Sequence, residues 1–546
     1  MTIRVPNLRA VHASPKHIFS TSYQTIGVTL LAVLLTSVSG CTGFRQWMHQ
    51  GFKVGPDYCR PPAPVADEWI DFENADIVSS EPDNAAWWSV FNDPVLNELI
   101  ATASQQNLTL RSAGMRILEA RARLNIARGN LWPQSQTAYG DYTRINLSST
   151  LANSFQVADF DVWGTGFNAA WELDFWGRIR RNIESKSALL NAEIENYDSV
   201  LVILQSDVAT AYIQYRTLQN ELALAKKNVE LQQRTLEIAD VRFRNGKATE
   251  LDVAQAKQNL AATKSSIPRF ESSLRETGNA LCVLLGVPPR DLTAELGDGP
   301  IPEAPQQVLV GIPAELLRRR PDVRRAERLA AAQSAVIGIA ESDLYPRIAI
   351  TGTIGYSAEN LSNLFDDQSV IGAIGPGFQW NILNYGRIQN NVRANEAAFY
   401  RLVYDYQNTV LAAAREVEDG IIKFLKERQR VQDLNESATQ ALRAVEISTT
   451  QYRQGKTSFQ PVVYMQQILA TQQDQLAQSR GAVANNLVAI YKALGGGWQV
   501  RMTGSPVLAE GANIIEQTPP NMPNEAAPTP AKAPAKANAL PLPETK

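Results

Sequence analysis

Residues 178–245 read RIRRNIESKSALLNAEIENYDSVLVILQSDVATAYIQYRTLQNELALAKKNVELQQRTLEIADVRFRN, 68 residues without a Gly or a Pro. A run so free of helix breakers reads as one continuous helix, which at 1.5 Å per residue would extend about 100 Å. That is several times the mean helix of a globular protein, and no compact core needs it. Small or apolar residues recur at Ile183, Ser187, Leu190, Ile194, Tyr197, Leu201, Leu204, Val208, Ala211, Tyr215, Leu218, Leu222, Ala225 and Val229. The alternating steps of four and three define a heptad seam. Val200, Ile203 and Ile213 lie beside it and widen the apolar stripe, so the helix is expected to touch neighbours on two sides, as a stave does in a wall.

The stave occurs twice. Phe175-Trp176-Gly177-Arg178-Ile179 returns as Asn384-Tyr385-Gly386-Arg387-Ile388, Arg244-Asn245-Gly246-Lys247 as Arg453-Gln454-Gly455-Lys456, and Leu285-Gly286 as Leu494-Gly495, all at an offset of 209 residues. Leu131-Trp132-Pro133 matches Leu344-Tyr345-Pro346 at an offset of 213. The chain is therefore an internal duplication whose copies differ by four residues between the Pro and the Gly.

Upstream of each stave the period changes to two. Phe167, Ala169, Trp171, Leu173 and Phe175 alternate with Asn168, Ala170, Glu172 and Asp174. In the second copy Ile348, Ile350, Gly352, Ile354 and Tyr356 alternate with smaller or polar residues, and Phe378, Trp380 and Ile382 do so later. Strands of about ten residues with one apolar face are the signature of membrane β-barrels. A hairpin of a soluble sandwich would alternate in the same way; two such hairpins between long helices favour the barrel. Phe167, Trp171, Leu173, Phe378, Trp380 and Ile382 are the expected lipid-facing residues. Each long helix then turns at Asn245-Gly246-Lys247 or Gln454-Gly455-Lys456 and returns, with Thr249 as an N-cap and Pro268 expected to kink the first return helix. Stacked end to end, the helix before each hairpin and the return helix should nearly match one long stave.

The fold class expected is mainly α with a membrane β part, built from a duplicated strand–strand–long helix–helix unit. Residues 1–40 read as an export signal, with Arg4, Arg9 and Lys16 before the apolar run 26–35. Residues 41–85 form an extended arm, 86–299 the first repeat and 300–497 the second. The first repeat has its hairpin near 134–176, long helix 177–245 and return helix 249–285; the second has them near 347–385, 386–454 and 458–494. Residues 498–546 are rich in Pro and Ala and read as disordered.

The chain carries 52 Lys and Arg against 55 Asp and Glu, net charge −3, without the basic excess a nucleic-acid partner would want. Its only histidines are His12, His17 and His49, so the body lacks the usual general base and metal ligand. No cofactor, metal site or enzyme activity is expected. Val38-Ser39-Gly40-Cys41 closes the export signal as a bacterial lipobox would, making Cys41 the expected lipidation site; a plain signal peptide with an incidental Cys is the alternative. Cys59 and Cys282 are too few and too distant in sequence to argue for a disulfide.

Four transmembrane strands cannot close a barrel, because the smallest single-chain barrels have about eight, and lipid tolerates no open edge. The chain is expected to oligomerise, gathering the staves into a hollow, membrane-anchored tube.

The lipobox, Val54-Gly55-Pro56-Asp57-Tyr58, the run Glu172-Leu173-Asp174-Phe175-Trp176-Gly177-Arg178-Ile179-Arg180-Arg181 and the run Ile312-Pro313-Ala314-Glu315-Leu316-Leu317-Arg318-Arg319-Arg320-Pro321-Asp322-Val323-Arg324-Arg325-Ala326-Glu327 resemble the TolC-like outer-membrane factors. Over roughly residues 41–500 the likeness is to their lipoprotein branch, that of OprM and NodT. The resemblance implies a homotrimer, with a twelve-stranded β-barrel continuous with a twelve-helix α-barrel. It also implies a bacterial outer-membrane location, lipid-anchored and extending into the periplasm. The work implied is the passive exit duct of a tripartite efflux pump for drugs or other toxic small molecules, docked to a periplasmic adaptor and an inner-membrane transporter of the resistance-nodulation-division type. In the family the two helical turns form the periplasmic tip. By position this assigns Arg242, Gly246, Asp252, Tyr452, Arg453, Gly455 and Tyr464 to the tip and gate. Relatives carry acidic residues six and nine positions after the second turn glycine; here Pro461 and Tyr464 stand there, and only the first copy keeps an acid, Asp252. Closure is therefore expected to rest on Tyr452, Tyr464, Arg242 and Arg453. A duct for protein secretion and a non-conducting trimeric coiled-coil stalk are the alternative readings.

Overall fold

The computed structural model of the protein describes residues 44–78, 85–146 and 159–503; the export signal, Cys41 and the tail from 504 onward lie outside them. The chain forms two compact units that cut across the duplication. The first gathers the chain up to Ala66 with Glu119–Asn196 and Pro321–Ala413, the second Asp67–Leu118, Tyr197–Arg320 and the chain from Ala414.

Eleven elements carry the architecture. In the first copy α1 (Pro94–Gln106), α2 (Leu108–Gly129), β1 (Ser135–Asn146), β2 (Asp159–Leu173), α3 (Arg178–Arg244) and α4 (Glu250–Leu284) follow in order. The second copy supplies α5 (Pro321–Ser342), β3 (Arg347–Ala358), β4 (Val370–Gln379), α6 (Arg387–Arg453) and α7 (Gln460–Ala493). The long helices α3 and α6 each have 67 residues. The 22-residue α2 and 35-residue α4 together fall two to three turns short of α3, so the expected end-to-end match is only approximate. Helix α4 runs through Pro268 without a break. No described helix is long and apolar enough to cross a membrane.

In the first unit the strands form one antiparallel sheet in the order β1-β2-β3-β4. Its register explains the alternation. Phe167 stands opposite Ala138 and Ile354, Trp171 opposite Ile350, and Ile350 opposite Pro376. Leu173 stands opposite Ile348, which stands opposite Phe378. All of these share one face, because side chains two apart on a strand point the same way and directly paired residues lie level. Thr137, Asn168, Thr353 and Ala373 line up on the other face. Pro376, which lacks an N–H, lies on β4, an edge of the sheet in the single chain.

In the single chain the apolar-polar alternation runs past the ladder of the second hairpin. Strand β4 of the single chain ends at Gln379, so Trp380 and Ile382 lie just past the ladder it forms with β3. There Trp380 Nε1 donates to Leu344 O at 2.9 Å and Ile382 N to Trp380 O at 3.1 Å, which turns the chain while the apolar-polar alternation continues in the sequence. At the matching corner of the first copy, Trp171 Nε1 donates to Leu131 O at 3.1 Å.

Residues of the arm are held against the start of α3. Arg180 donates to Gly51 O at 2.5 Å and Phe52 O at 2.9 Å, and the buried Arg181 to Val54 O at 3.0 Å and Gly55 O at 2.8 Å. Trp47 packs its ring near Phe52, Phe175 and Trp176. Cys59 and Cys282 are free thiols, the first exposed and the second buried.

In the second unit α3 buries Leu201, Leu204, Val208, Tyr215, Leu218 and Ala225 of the heptad seam together with Val202, Ala209, Tyr212 and Ile213 beside it. Each large apolar side chain so buried stabilises by about 1.5–3 kcal/mol. Ile213 widens the stripe as expected, whereas Ile203 is 43% exposed in the single chain. Two buried charges here are held by close hydrogen bonds. Arg501 grips Asp198 with two bonds of 2.8 and 2.9 Å, and Arg216 donates to Tyr212 Oη, Leu296 O and Gly297 O.

Candidate functional site

Both long helices end in the same way. Gly246 N donates to Phe243 O and Lys247 N to Arg242 O; Gly455 N donates to Tyr452 O and Lys456 N to Gln451 O. These are Schellman motifs, in which the residue after the helix adopts left-handed backbone. Gly246 has φ of 67° and Gly455 of 75°, a conformation that costs a side-chain-bearing residue about 1 kcal/mol or more. The two Gly-Lys pairs of the sequence are thus helix stops, and they point each return helix back along its stave.

The turns belong to a cluster that joins the copies. Tyr452, at the end of α6, is buried and its hydroxyl donates to Asp252 Oδ2 on the first turn of α4 at 3.2 Å. The other carboxylate oxygen of Asp252 accepts from Thr249 Oγ1 at 3.0 Å, while Thr249 Oγ1 accepts from Asp252 N as the N-cap. Arg242, near the end of α3, lies with its guanidinium 4.5 Å from the Tyr452 ring centroid. It donates to the carbonyls of Tyr452, of Arg453 at 3.1 Å and of Lys247 at 3.1 Å. A cation there also suits the negative C-terminal ends of both long helices. Burial first, and then the negative charge of Asp252, push the Tyr452 hydroxyl up to about 12, so it keeps its proton and remains a donor.

Beneath the polar contacts lies an apolar plug. Ala239 of α3, Val253 and Ala256 of α4, and Tyr452, Phe459, Val462 and Val463 of the second copy bury together. Phe459 meets Tyr452 at 5.0 Å between centroids. Gln255 Nε2 adds a bond of 3.0 Å to Gln460 Oε1.

Of the residues singled out in the sequence, Arg242, Asp252 and Tyr452 come together, with Gly246 and Gly455 shaping the turns. Arg453 enters through its carbonyl oxygen while its side chain is exposed. Tyr464 does not join the cluster; it is 54% exposed, because α7 turns it away from the face that carries Val462 and Val463. Sequence reasoning missed Phe459. An aromatic residue immediately after a turn, at the position where the first copy has Glu250, was the signal that could have found it.

Farther along the helices, Glu221, Asn228, Gln232, Asn259 and Asp474 line a cavity of about 340 Å³. Burial, with the nearby Asp474 charge adding to it, pushes the Glu221 carboxyl up to about 7. Among the described residues no group of three or more His, Cys, Asp or Glu side chains could hold a metal ion.

Comparison with known proteins adds four findings. The model of the family described as outer membrane efflux protein matches residues 99–287 and 312–496. The toluene efflux pump outer membrane protein TtgF of Pseudomonas putida is 30% identical over 472 residues, covering 84% of this chain and 97% of that protein. Nodulation protein T of Rhizobium leguminosarum bv. trifolii is 28% identical over 472 residues, with 84% and 97% covered. Among solved structures, the outer-membrane channel OprN superposes with a TM-score of 0.77 at 30% identity, covering 82% of this chain and 99% of that one.

Proposed function

Because this chain belongs to the outer membrane efflux protein family, we infer that it is the outer-membrane channel of a tripartite efflux system, a non-enzymatic duct extending into the periplasm. The observation that carries this reading is a single four-stranded sheet with one apolar face and two open edges, in a chain whose two long helices each have 67 residues. Lipid tolerates no open edge, so the sheet calls for copies of itself. Three copies supply twelve strands, enough for a closed barrel, with α3, α4, α6 and α7 of each copy forming the helical duct.

The partners follow from the role. They are a periplasmic adaptor and an inner-membrane transporter, which we take to be of the resistance-nodulation-division type. Cys41 is the proposed lipid anchor. Phe167, Trp171, Leu173 and Phe378, level on one face, are the proposed lipid-facing residues. Relatives carry names as different as toluene efflux pump protein and cation efflux system protein CusC, so the cargo is read as set by the transporter. Small toxic molecules are the class proposed for this chain.

The Arg242–Tyr452–Asp252 cluster is the proposed latch of the periplasmic end. It joins the turn of one copy to the helix end of the other, and releasing it would let the return helices separate. The test of the duct is planar-bilayer conductance of the purified protein together with its oligomeric mass. Channels of small conductance from a trimer are expected. A monomer would break the barrel-closure step, and a trimer that stays silent with the latch mutated would favour a non-conducting stalk.

A further inference from the structure

The duplication leaves one contact without its twin. Within each copy the corner between the incoming helix and its hairpin is pinned alike, by Trp171 to Leu131 O and by Trp380 to Leu344 O. Between the copies a second contact is made once. Trp176, at the entry to α3, stacks on Tyr345, with centroids 4.5 Å apart and planes at 23°, and its Nε1 donates to Pro346 O at 2.9 Å. The equivalent residues are Tyr385, at the entry to α6, and Trp132-Pro133, before β1. In the single chain Tyr385 is 96% exposed and Trp132 is 72% exposed. Beside Tyr385, Ile382 and Leu383 are also exposed.

The sheet has the same gap. Strand β2 of the first copy pairs with β3 of the second, with Ala169 opposite Gly352. The twin of that pairing is β4 with β1, and these are the two free edges. A ring of duplicated chains alternates first and second copies all the way round, so each contact made inside the chain recurs between neighbouring chains.

We propose that Tyr385 stacks on Trp132 of the partner subunit, repeating between chains the Trp176–Tyr345 contact made within each, and that β4 pairs with the partner's β1 in the register that sets Phe378 opposite Gly140 of the partner subunit. Ala169 becomes Phe378 at the offset of 209, and Gly352 becomes Gly140 because the matching hairpin pairs Ser135–Ala170 and Arg347–Gln379 set the strands at an offset of 212. This register keeps the apolar faces level, whereas a slip by one residue would turn one strand's apolar side chains inward. The occupant of the exposed patch is thus a second copy of this chain, in head-to-tail contact. Such a contact closes into a ring rather than a two-fold dimer. The inference rests on the reading of the chain as one subunit of a closed barrel.

The experiment is bis-maleimide cross-linking of full-length protein in outer-membrane vesicles, with Cys59→Ser to remove the exposed thiol and the buried Cys282 left in place. The double variant Trp132→Cys, Tyr385→Cys should yield a ladder that stops at three chains, and each single variant should stay monomeric on a denaturing gel. A trimer by native mass that gives no ladder would refute the contact and leave the ring standing. A monomer by native mass would remove both. Dimers from Trp132→Cys alone would replace the head-to-tail contact by a two-fold one and so overturn it. As a second measure, Tyr385→Ala should lower the temperature at which the trimer dissociates, while Tyr385→Phe, which keeps the ring, should not. Equal dissociation temperatures for Tyr385→Ala and the parent would count against the stack.

Discussion

Replacing Arg242 by alanine should loosen the periplasmic end more than any other single change at the tip. The side chain donates to three carbonyls, those of Tyr452, Arg453 and Lys247, and lies over the Tyr452 ring. A hydrogen bond from a charged donor stabilises by about 1.5–3 kcal/mol when buried. Arg242 is only half-buried and its acceptors lie near solvent, so the set as a whole is discounted to about 2 kcal/mol. The cation–π contact adds about 0.5–1 kcal/mol. A latch weakened by that sum shifts a closed-to-open equilibrium by roughly 60- to 150-fold in each subunit. Tyr452→Phe keeps the ring in its apolar plug and loses the single bond to Asp252, about 1 kcal/mol or roughly fivefold. Single-channel recording in planar bilayers should therefore rank Arg242→Ala above Tyr452→Phe, and both above the parent, in open probability or conductance. The double variant should fall short of the sum, because both side chains meet at one ring. Currents from Arg242→Ala indistinguishable from those of the parent, at equal insertion, would refute the latch.

Two further outcomes follow from the buried charges. Arg501→Ala leaves the fully buried Asp198 without its two-bond partner and should cost about 3 kcal/mol, read as a lowered midpoint in guanidinium unfolding; an unchanged midpoint would show that the pair contributes nothing net. Glu221 binds its proton more tightly folded than unfolded, so its contribution is fully present below about pH 4.5 and is lost as pH rises towards 7. Glu221→Gln should therefore flatten the decline of unfolding temperature over that window and raise it at pH 7.5, and a decline as steep as the parent's would place its origin elsewhere.

Local periodicity made most of the architecture legible. A heptad seam without Gly or Pro admits one conformation over its length, and Gly246 and Gly455 mark where it must stop. Alternation at Phe167, Trp171 and Leu173 likewise named a face that the strand register reproduces. Two places lie beyond what the pattern alone resolved. Alternation at Trp380 and Ile382 continues past Gln379, where the ladder of the single chain stops. Tyr464 stays outside the Arg242–Tyr452–Asp252 cluster, because helical rotation puts its neighbours Val462 and Val463 inward. Contacts between copies were invisible for a different reason. Asp252 and Tyr452 are 200 residues apart, and nothing in either stretch names the other. The same holds for the arm carbonyls that Arg180 and Arg181 hold.

The latch residues Arg242, Asp252 and Tyr452 all belong to one chain. On the proposed reading this bears on biogenesis. Contacts made within a chain form as that chain folds, at a rate independent of concentration, whereas contacts between chains wait for encounter. The periplasmic end of each subunit would be fastened before three subunits meet and before the barrel closes in the outer membrane. The duct would then be inserted shut, and the permeability barrier of the cell would not be breached while pores accumulate.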